Sequence, residues 1–258
     1  MENNQEKYPA PALAKGLQVI QVLQLHDAMI LEELAVITAI PKASLLRMLD
    51  TLLMLKFIER DATTRKYRTI VRLITDNDNN RDREQLIHDA LVELSATTGL
   101  TTEWYIPNFE GAVIVDRVEP ADRAVKVVAK IGFIRQLTGE FEAVARLAIA
   151  NRDKFKPGIN NYWLYKAGKK EPLVEQEFKQ LLIDASSQGY CIDGEYNNNG
   201  IRRMAGAVKE DNGKLCGIIT LAESFTPDAE RCRQARLKNL QLICHNLEAA
   251  LTKLSSGK

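Results

Sequence analysis

The chain has 258 residues, 45% of them hydrophobic and 27% charged, with a formal net charge of +1. That length suits two cores, one small and one medium, and the near-neutral balance means that any nucleic-acid footprint must be local. No run of 18 apolar residues is present and the polar start lacks the basic and apolar regions of a secretory signal, so a cytoplasmic protein without a membrane partner is expected.

Residues 11–25 place Leu13, Leu17, Ile20 and Leu25 near helical spacing, with Val19, Val22 and Leu23 widening the stripe. Pro11 suits a first helical turn. A second short helix follows over 30–38, with Leu31, Leu34, Ala35 and Ile37 apolar, and Glu32 and Glu33 complementing its dipole. Pro41 opens a third helix whose Leu45, Leu46, Leu49, Leu52 and Leu53 make a broad apolar face. Short alternating runs around the turn-like "ATTR" then read as a β-hairpin. The order helix, helix, tight turn, helix, hairpin is that of a winged helix-turn-helix, placed over residues 8–74.

"TDNDNNRDRE", 75–84, has no apolar side chain except the partial one of threonine and marks the domain boundary. Residues 75–99 are expected to be a linker and a linking helix, with Gly99 as its stop. In 100–258, "TTEWYIP", "AVIVDRVE", "AVKVVAKI", "YCIDGEY", "RRMAGAVKE" and "LCGIITLAES" read as strands. "EFEAVARLAIAN", "EPLVEQEFKQLLIDASSQG" and the long segment from Pro227 to Leu254 read as helices. Strand runs with intervening helices predict an α+β domain with a largely antiparallel sheet.

Chemistry-bearing patterns are concentrated at the N-terminal end. From Thr38 to Arg72 there are eight bases (Lys42, Arg47, Lys56, Arg60, Arg65, Lys66, Arg68, Arg72) and three acids (Asp50, Glu59, Asp61). That is a surplus of five in a chain whose total is +1, and DNA phosphates reward such clustering through counterion release. Ser44 and Arg47 lie one turn apart on the third helix and are placed to reach base edges, where an Arg–guanine pair discriminates by about 1–3 kcal/mol. Lys42 opposes the helix dipole in the first turn and suits a phosphate. Arg65, Lys66 and Arg68 on the hairpin would reach backbone or minor groove. The alternative for each is a solvated helix face or basic turn. Elsewhere Cys191, Cys216, Cys232 and Cys244 form no CxxC pair and read as reduced packing thiols. The sequence displays no paired-acid, P-loop, nucleophile-elbow or metal-ligand spacing, so neither enzyme activity nor a cofactor is expected.

"PALAKGLQVIQVL", "LEELAVITAIPKASLLRMLDTLLMLKFIERD" and "KYR" resemble the winged helix-turn-helix of the IclR family of bacterial transcriptional regulators. The family pattern is "LxELAxxxGLPKSTxxRLLxTLxxxGxVxxD" followed by "YRL". Among the matching residues are Leu31, Glu33, Pro41, Lys42, Ser44, Arg47, Thr51, Asp61, Tyr67 and Arg68, and Thr51 thereby joins the DNA-reading set. "DRVE", Gly132, "GYCIDGEYNNNGI" and "AGAVKEDNGKLCGIITLAES" extend the resemblance over about the whole chain.

The resemblance implies a GAF-like or profilin-like C-terminal domain that binds a small organic acid or aromatic catabolite. It also implies double-stranded DNA as partner and a homodimer, possibly a dimer of dimers. Carried over by position, the effector contacts are Asp193, Arg203, Thr220 and Ala222, with Phe141 nearby; Trp104 is taken as the pocket-facing member of the Trp104–Tyr105 pair. Arg203 stands where the family often has Cys, and Thr220 and Ala222 where it often has two Ser. Two arrangements satisfy Arg203. Either it clamps the carboxylate of an effector, or it pairs with Asp193 while Phe141 fills the space and closes the pocket. An enzyme or binding protein with an accessory helix-turn-helix, and a protein–protein module with a vestigial one, are the competing classes.

Overall fold

A computed structural model describes residues 8–26, 28–71, 78–107, 111–122, 126–152 and 162–256. The chain divides into two compact units, residues 1–75 and 76–258. Arg72, Ala124 and Val125, all used in the sequence expectations above, lie outside the described residues.

The first unit contains α1 (Pro11–Leu25), α2 (Leu31–Thr38), α3 (Lys42–Met54), β1 (Ile58–Arg60) and β2 (Tyr67–Thr69). Its core is Val19, Ile20 and Leu23 of α1, Leu34 of α2, Leu45, Leu49 and Leu52 of α3, with Met29, Ile40, Ile58 and Tyr67. Two expected core leucines of α1 are outside it: Leu13 is 64% exposed and Leu17 is 40% exposed, because the buried stripe turns toward Val19 and Leu23. Leu46 is likewise on the surface of α3. Glu33 accepts the Ile30 N–H (2.9 Å), satisfying one free donor at the start of α2. Ala39, in a left-handed conformation at φ 52°, ends α2, and Pro41 is the N-cap of α3 rather than a residue of its first turn. The hairpin β1–β2 pairs Glu59 with Arg68. Met29 exchanges backbone hydrogen bonds with Tyr67 (2.9 and 2.7 Å), so the stretch before α2 anchors the wing.

In the second unit α4 (Asp78–Thr98) begins within the polar stretch. A six-stranded antiparallel sheet has the order β5-β4-β3-β11-β10-β9, formed by β3 (Thr101–Pro107), β4 (Gly111–Val118), β5 (Ile134–Gln136), β9 (Tyr190–Ile192), β10 (Ile201–Lys209) and β11 (Leu215–Ser224). A three-stranded sheet comprises β6 (Gly139–Glu140), β7 (Tyr162–Lys166) and β8 (Lys169–Pro172). The remaining helices are α5 (Ala143–Ala150), α6 (Glu175–Gln188) and α7 (Ala229–Ser256). The strand expected over "AVKVVAKI" does not form at its described residues, 126–131; the edge strand is β5, three residues further on. The segment "YWLYK", unassigned from sequence, is β7, and the start of the expected helix at Glu171–Pro172 belongs to β8.

Both faces of the six-stranded sheet are covered. One carries α4 and α7 over Trp104, Met204, Val208, Ile219 and Leu221. The other carries α5 and α6 over Tyr105, Ala205, Ala207 and Ile218, with the rings of Phe141, Tyr162 and Phe178 in edge-on and tilted contact at centroid distances of 4.8–5.1 Å. The pleat sends alternate side chains to opposite faces, so each central strand is buried on both sides.

Candidate nucleic-acid interface and effector site

On α3 the buried Leu45, Leu49 and Leu52 fix the orientation of the helix. Lys42, Ser44, Arg47 and Thr51 are exposed. The Thr51 hydroxyl donates to the Arg47 carbonyl (2.9 Å), so it is used within the helix. Lys42 lies 3.5 Å from Glu32 with both side chains more than half exposed, a pair that water screens. The wing tip is held by Asp61, whose Oδ1 accepts the N–H groups of Thr63 (2.8 Å) and Thr64 (2.6 Å). These bonds, that of Thr64 foremost, lower the Asp61 pKa. The stiff turn leaves Arg65 and Lys66 exposed. Arg68 differs: it is half-buried and its Nε donates to Glu59 across the hairpin, so its charge has a partner within the wing.

The C-terminal expectation centred on Arg203 resolves differently. Arg203 and Thr220 project to the α5 face, and Ala222 is the register partner of Arg203. The partner of the Arg203 guanidinium is not Asp193 but Glu103, on β3. Arg203 Nε donates to Glu103 Oε2 (3.0 Å) and Nη2 approaches Oε1 at 3.4 Å. The same carboxylate accepts from Thr220 Oγ1 (2.9 Å) and from the Tyr105 hydroxyl (2.7 Å). Glu103 has no exposure and Arg203 2%. Burial raises the Glu103 pKa, but the Arg203 charge and these hydrogen bonds outweigh it and bring the carboxyl to about 2. Burial likewise opposes the Arg203 charge and Glu103 more than restores it, so its pKa is raised.

Arg135 extends the network. Its Nε donates to Tyr105 Oη (2.8 Å) and its Nη1 to both oxygens of Glu142 (2.9 and 3.1 Å). Asp193 instead organises backbone: Oδ1 accepts the Ala143 N–H at the start of α5 (2.6 Å) and the Arg146 guanidinium (3.3 Å), while Oδ2 accepts the Arg203 N–H (3.0 Å). Phe141 is buried against Tyr162 and Phe178. The Glu140 carboxylate, half-buried, accepts no hydrogen bond among the described residues; burial, then Glu142 and Asp193, push its pKa up to about 7.

Trp104 requires a correction. It lies on the α4–α7 face, packed so closely over Gly217 that a Cβ there would sit 2.2 Å from the indole ring, and Tyr105 is the member of the pair that joins Arg203. Of the expected effector residues the structure therefore brings together Arg203, Thr220, Ala222 and, through backbone, Asp193; Trp104 is excluded by strand alternation. Glu103, Tyr105, Arg135 and Glu142 were missed. The available signal was a glutamate and an arginine inside apolar strands, "TTEWYIP" and "IRRMAGAV", each of which needs a partner when buried. Two open depressions among the described residues lie elsewhere: one beside α2, lined by His26, Met29 and Val36, and one between the β10–β11 turn and α7.

Comparison with known proteins adds the decisive observation. Residues 12–62 match the IclR helix-turn-helix domain, and residues 79–251 match the C-terminal domain of bacterial IclR transcriptional regulators. The chain belongs to the IclR family. It is a DNA-binding transcriptional regulator and not an enzyme. The HTH-type transcriptional regulator XynR of Escherichia coli K12 is 24% identical over 232 residues, covering 85% of this chain and 90% of XynR. Among solved structures, the IclR regulator of Alicyclobacillus acidocaldarius superposes with a TM-score of 0.52 at 20% identity, over 94% of this chain and 99% of that one. An IclR homologue from Microbacterium hydrocarbonoxydans complexed with 4-hydroxybenzoate gives 0.52 at 14% identity, over 93% and 98%. At these identities the structures establish a shared fold. No helix among the described residues is long and apolar enough to cross a membrane.

Proposed function

We propose that this IclR-type regulator acts in the cytoplasm as a dimer on a palindromic operator. Arg47 and Ser44 read base edges in the major groove, Lys42 grips a phosphate, and Arg65 and Lys66 of the wing hold the flanking backbone. A single winged helix-turn-helix reads few base pairs, and a two-fold pair reads two half-sites. The observation that carries this reading is the exposed polar strip of α3 held by a buried leucine face beside a wing whose Arg65 and Lys66 are exposed and have no side-chain partner among the described residues. Selection of bound duplexes from a random pool tests it. The expected product is a symmetric pair of half-sites whose affinity falls steeply with salt; an unenriched pool rejects it.

For the C-terminal domain two readings stand. The relative that holds 4-hydroxybenzoate supports a small organic acid or aromatic effector. The Glu103–Arg203 pair supports the other, a domain whose carboxylate site is closed to free acids. The buried guanidiniums of Arg146 and Arg203 and the partly buried one of Arg135 each already have a carboxylate of the chain, which favours the closed reading. A thermal-shift screen of organic and aromatic acids separates them: stabilisation of the native chain that Arg203→Ala abolishes supports the open reading.

A further inference from the structure

We propose that Glu103 is a tethered anionic ligand: its carboxylate occupies a small-carboxylate receptor made by Arg203, Thr220 and Tyr105, and removing it opens that receptor to free monocarboxylates. The inference rests on the closed reading of the C-terminal domain and specifies what closes it.

Four donor contacts converge on the two oxygens of this one side chain, two from a guanidinium and two from neutral hydroxyls. The donors come from three strands, β3, β10 and β11, which lie side by side in the sheet, so the receptor is built by the sheet and not by the residues next to Glu103 alone. It is also supported from behind. The Tyr105 hydroxyl that donates to Glu103 accepts from Arg135, and Arg135 is fixed by Glu142, so the donor direction of the tyrosine is set. A bidentate or forked guanidinium with fixed hydroxyl donors, away from water, is the arrangement by which proteins select carboxylates. A second buried ion cluster, Arg202 and Arg236 on Glu223, differs in kind: Arg202 also bridges to the exposed Glu230, so that cluster leads out to the surface.

The small neighbours fit the same reading. Ala222 and Ala205 flank Thr220 and Arg203 on this face, leaving room over the strands for the Glu103 side chain to lie across the sheet. Beside them Thr101, 1% exposed, has a hydroxyl without a hydrogen-bond partner among the described residues, a spare polar group at the edge of the receptor.

The geometry dictates the probe. Truncating Glu103 to alanine removes a CH2–COO⁻ group, which is acetate less one hydrogen. Native chain, Glu103→Ala, and the double variant Glu103→Ala/Arg203→Ala are each titrated with sodium acetate against sodium chloride at equal ionic strength. The expected result is a saturable rise in the melting temperature of Glu103→Ala, about 3–5 °C at roughly ten times the dissociation constant. The native chain and the double variant stay flat. An equal rise in the native chain, or no acetate-specific rise in Glu103→Ala, overturns the proposal. If Glu103→Ala does not fold unaided, refolding from urea is compared in acetate and in chloride: recovery selective for acetate supports the proposal, and equal recovery overturns it. Operator binding by the native chain is measured separately. Its absence would sink the DNA-reading role while leaving the acetate titration, and hence this proposal, to be judged on its own result.

Discussion

Glu103 and Arg203, 100 residues apart in sequence, meet in the middle of the sheet with Nε and Oε2 3.0 Å apart, and both side chains are buried. The guanidinium is thus paired with a carboxylate of the chain itself, within the second unit. Both tryptophans, Trp104 and Trp163, lie in that unit, so their fluorescence reports its unfolding alone.

Arg203→Ala should therefore be severe. It leaves a buried carboxylate with only two hydroxyl donors, and breaking such a pair costs about 3–5 kcal/mol. The double change Glu103→Leu with Arg203→Met removes both charges and should cost far less, because the desolvation of both ions disappears with their attraction. Urea unfolding followed by tryptophan fluorescence checks the order; equal losses in the single and double variants would show that the pair is not what holds the strands.

Two carboxyls give opposite pH limbs. Glu103 is lowered from 4.5 to about 2, so its contribution is present above about 4.5 and is lost as pH falls toward 2. Glu140 is raised from 4.5 to about 7, so the folded state prefers it protonated; its contribution is full below 4.5 and is lost as pH rises through 7. Glu140→Gln should match the native chain near pH 4.5 and exceed it in urea midpoint at pH 8. A constant difference between the two across that range would contradict the burial of this carboxyl beside Glu142 and Asp193.

On DNA, Arg47→Ala should flatten sequence preference, costing about 1–3 kcal/mol on the selected operator and little on random duplex. Lys42→Ala and Arg65→Ala should weaken all duplexes alike and lower the salt slope by about 1 each. Arg68→Ala should change that slope least, because Glu59 already takes its charge. Binding isotherms at several salt concentrations measure all four.

Two bends of the first unit fall where the family pattern has glycine. Ala39 and Lys56 stand there at φ 52° and 58°, a conformation that costs a residue with a Cβ about 1–2 kcal/mol. Ala39→Gly relieves that cost and loses part of it to the freer unfolded chain. A net gain of about 0.5–1 kcal/mol is expected, read as slower hydrogen exchange of the α2 and α3 amides.

The amino-acid sequence by itself determined the order of helices and hairpin in the first unit, the polar strip of α3, and the family. Those features are written in neighbouring residues: the period of Leu45, Leu49 and Leu52, the helix start at Pro41, the bases around one turn. It also placed most central strands of the second unit. Only the tertiary structure decided which face each strand gives to which layer. Trp104 and Tyr105 are both buried because both faces of β3 are covered, so alternation could not say which of them joins the arginine. The partner of Arg203 was hidden for the same reason. Glu103 reaches it because β11 lies between β3 and β10, and strand order is set by long-range pairing that no local pattern records.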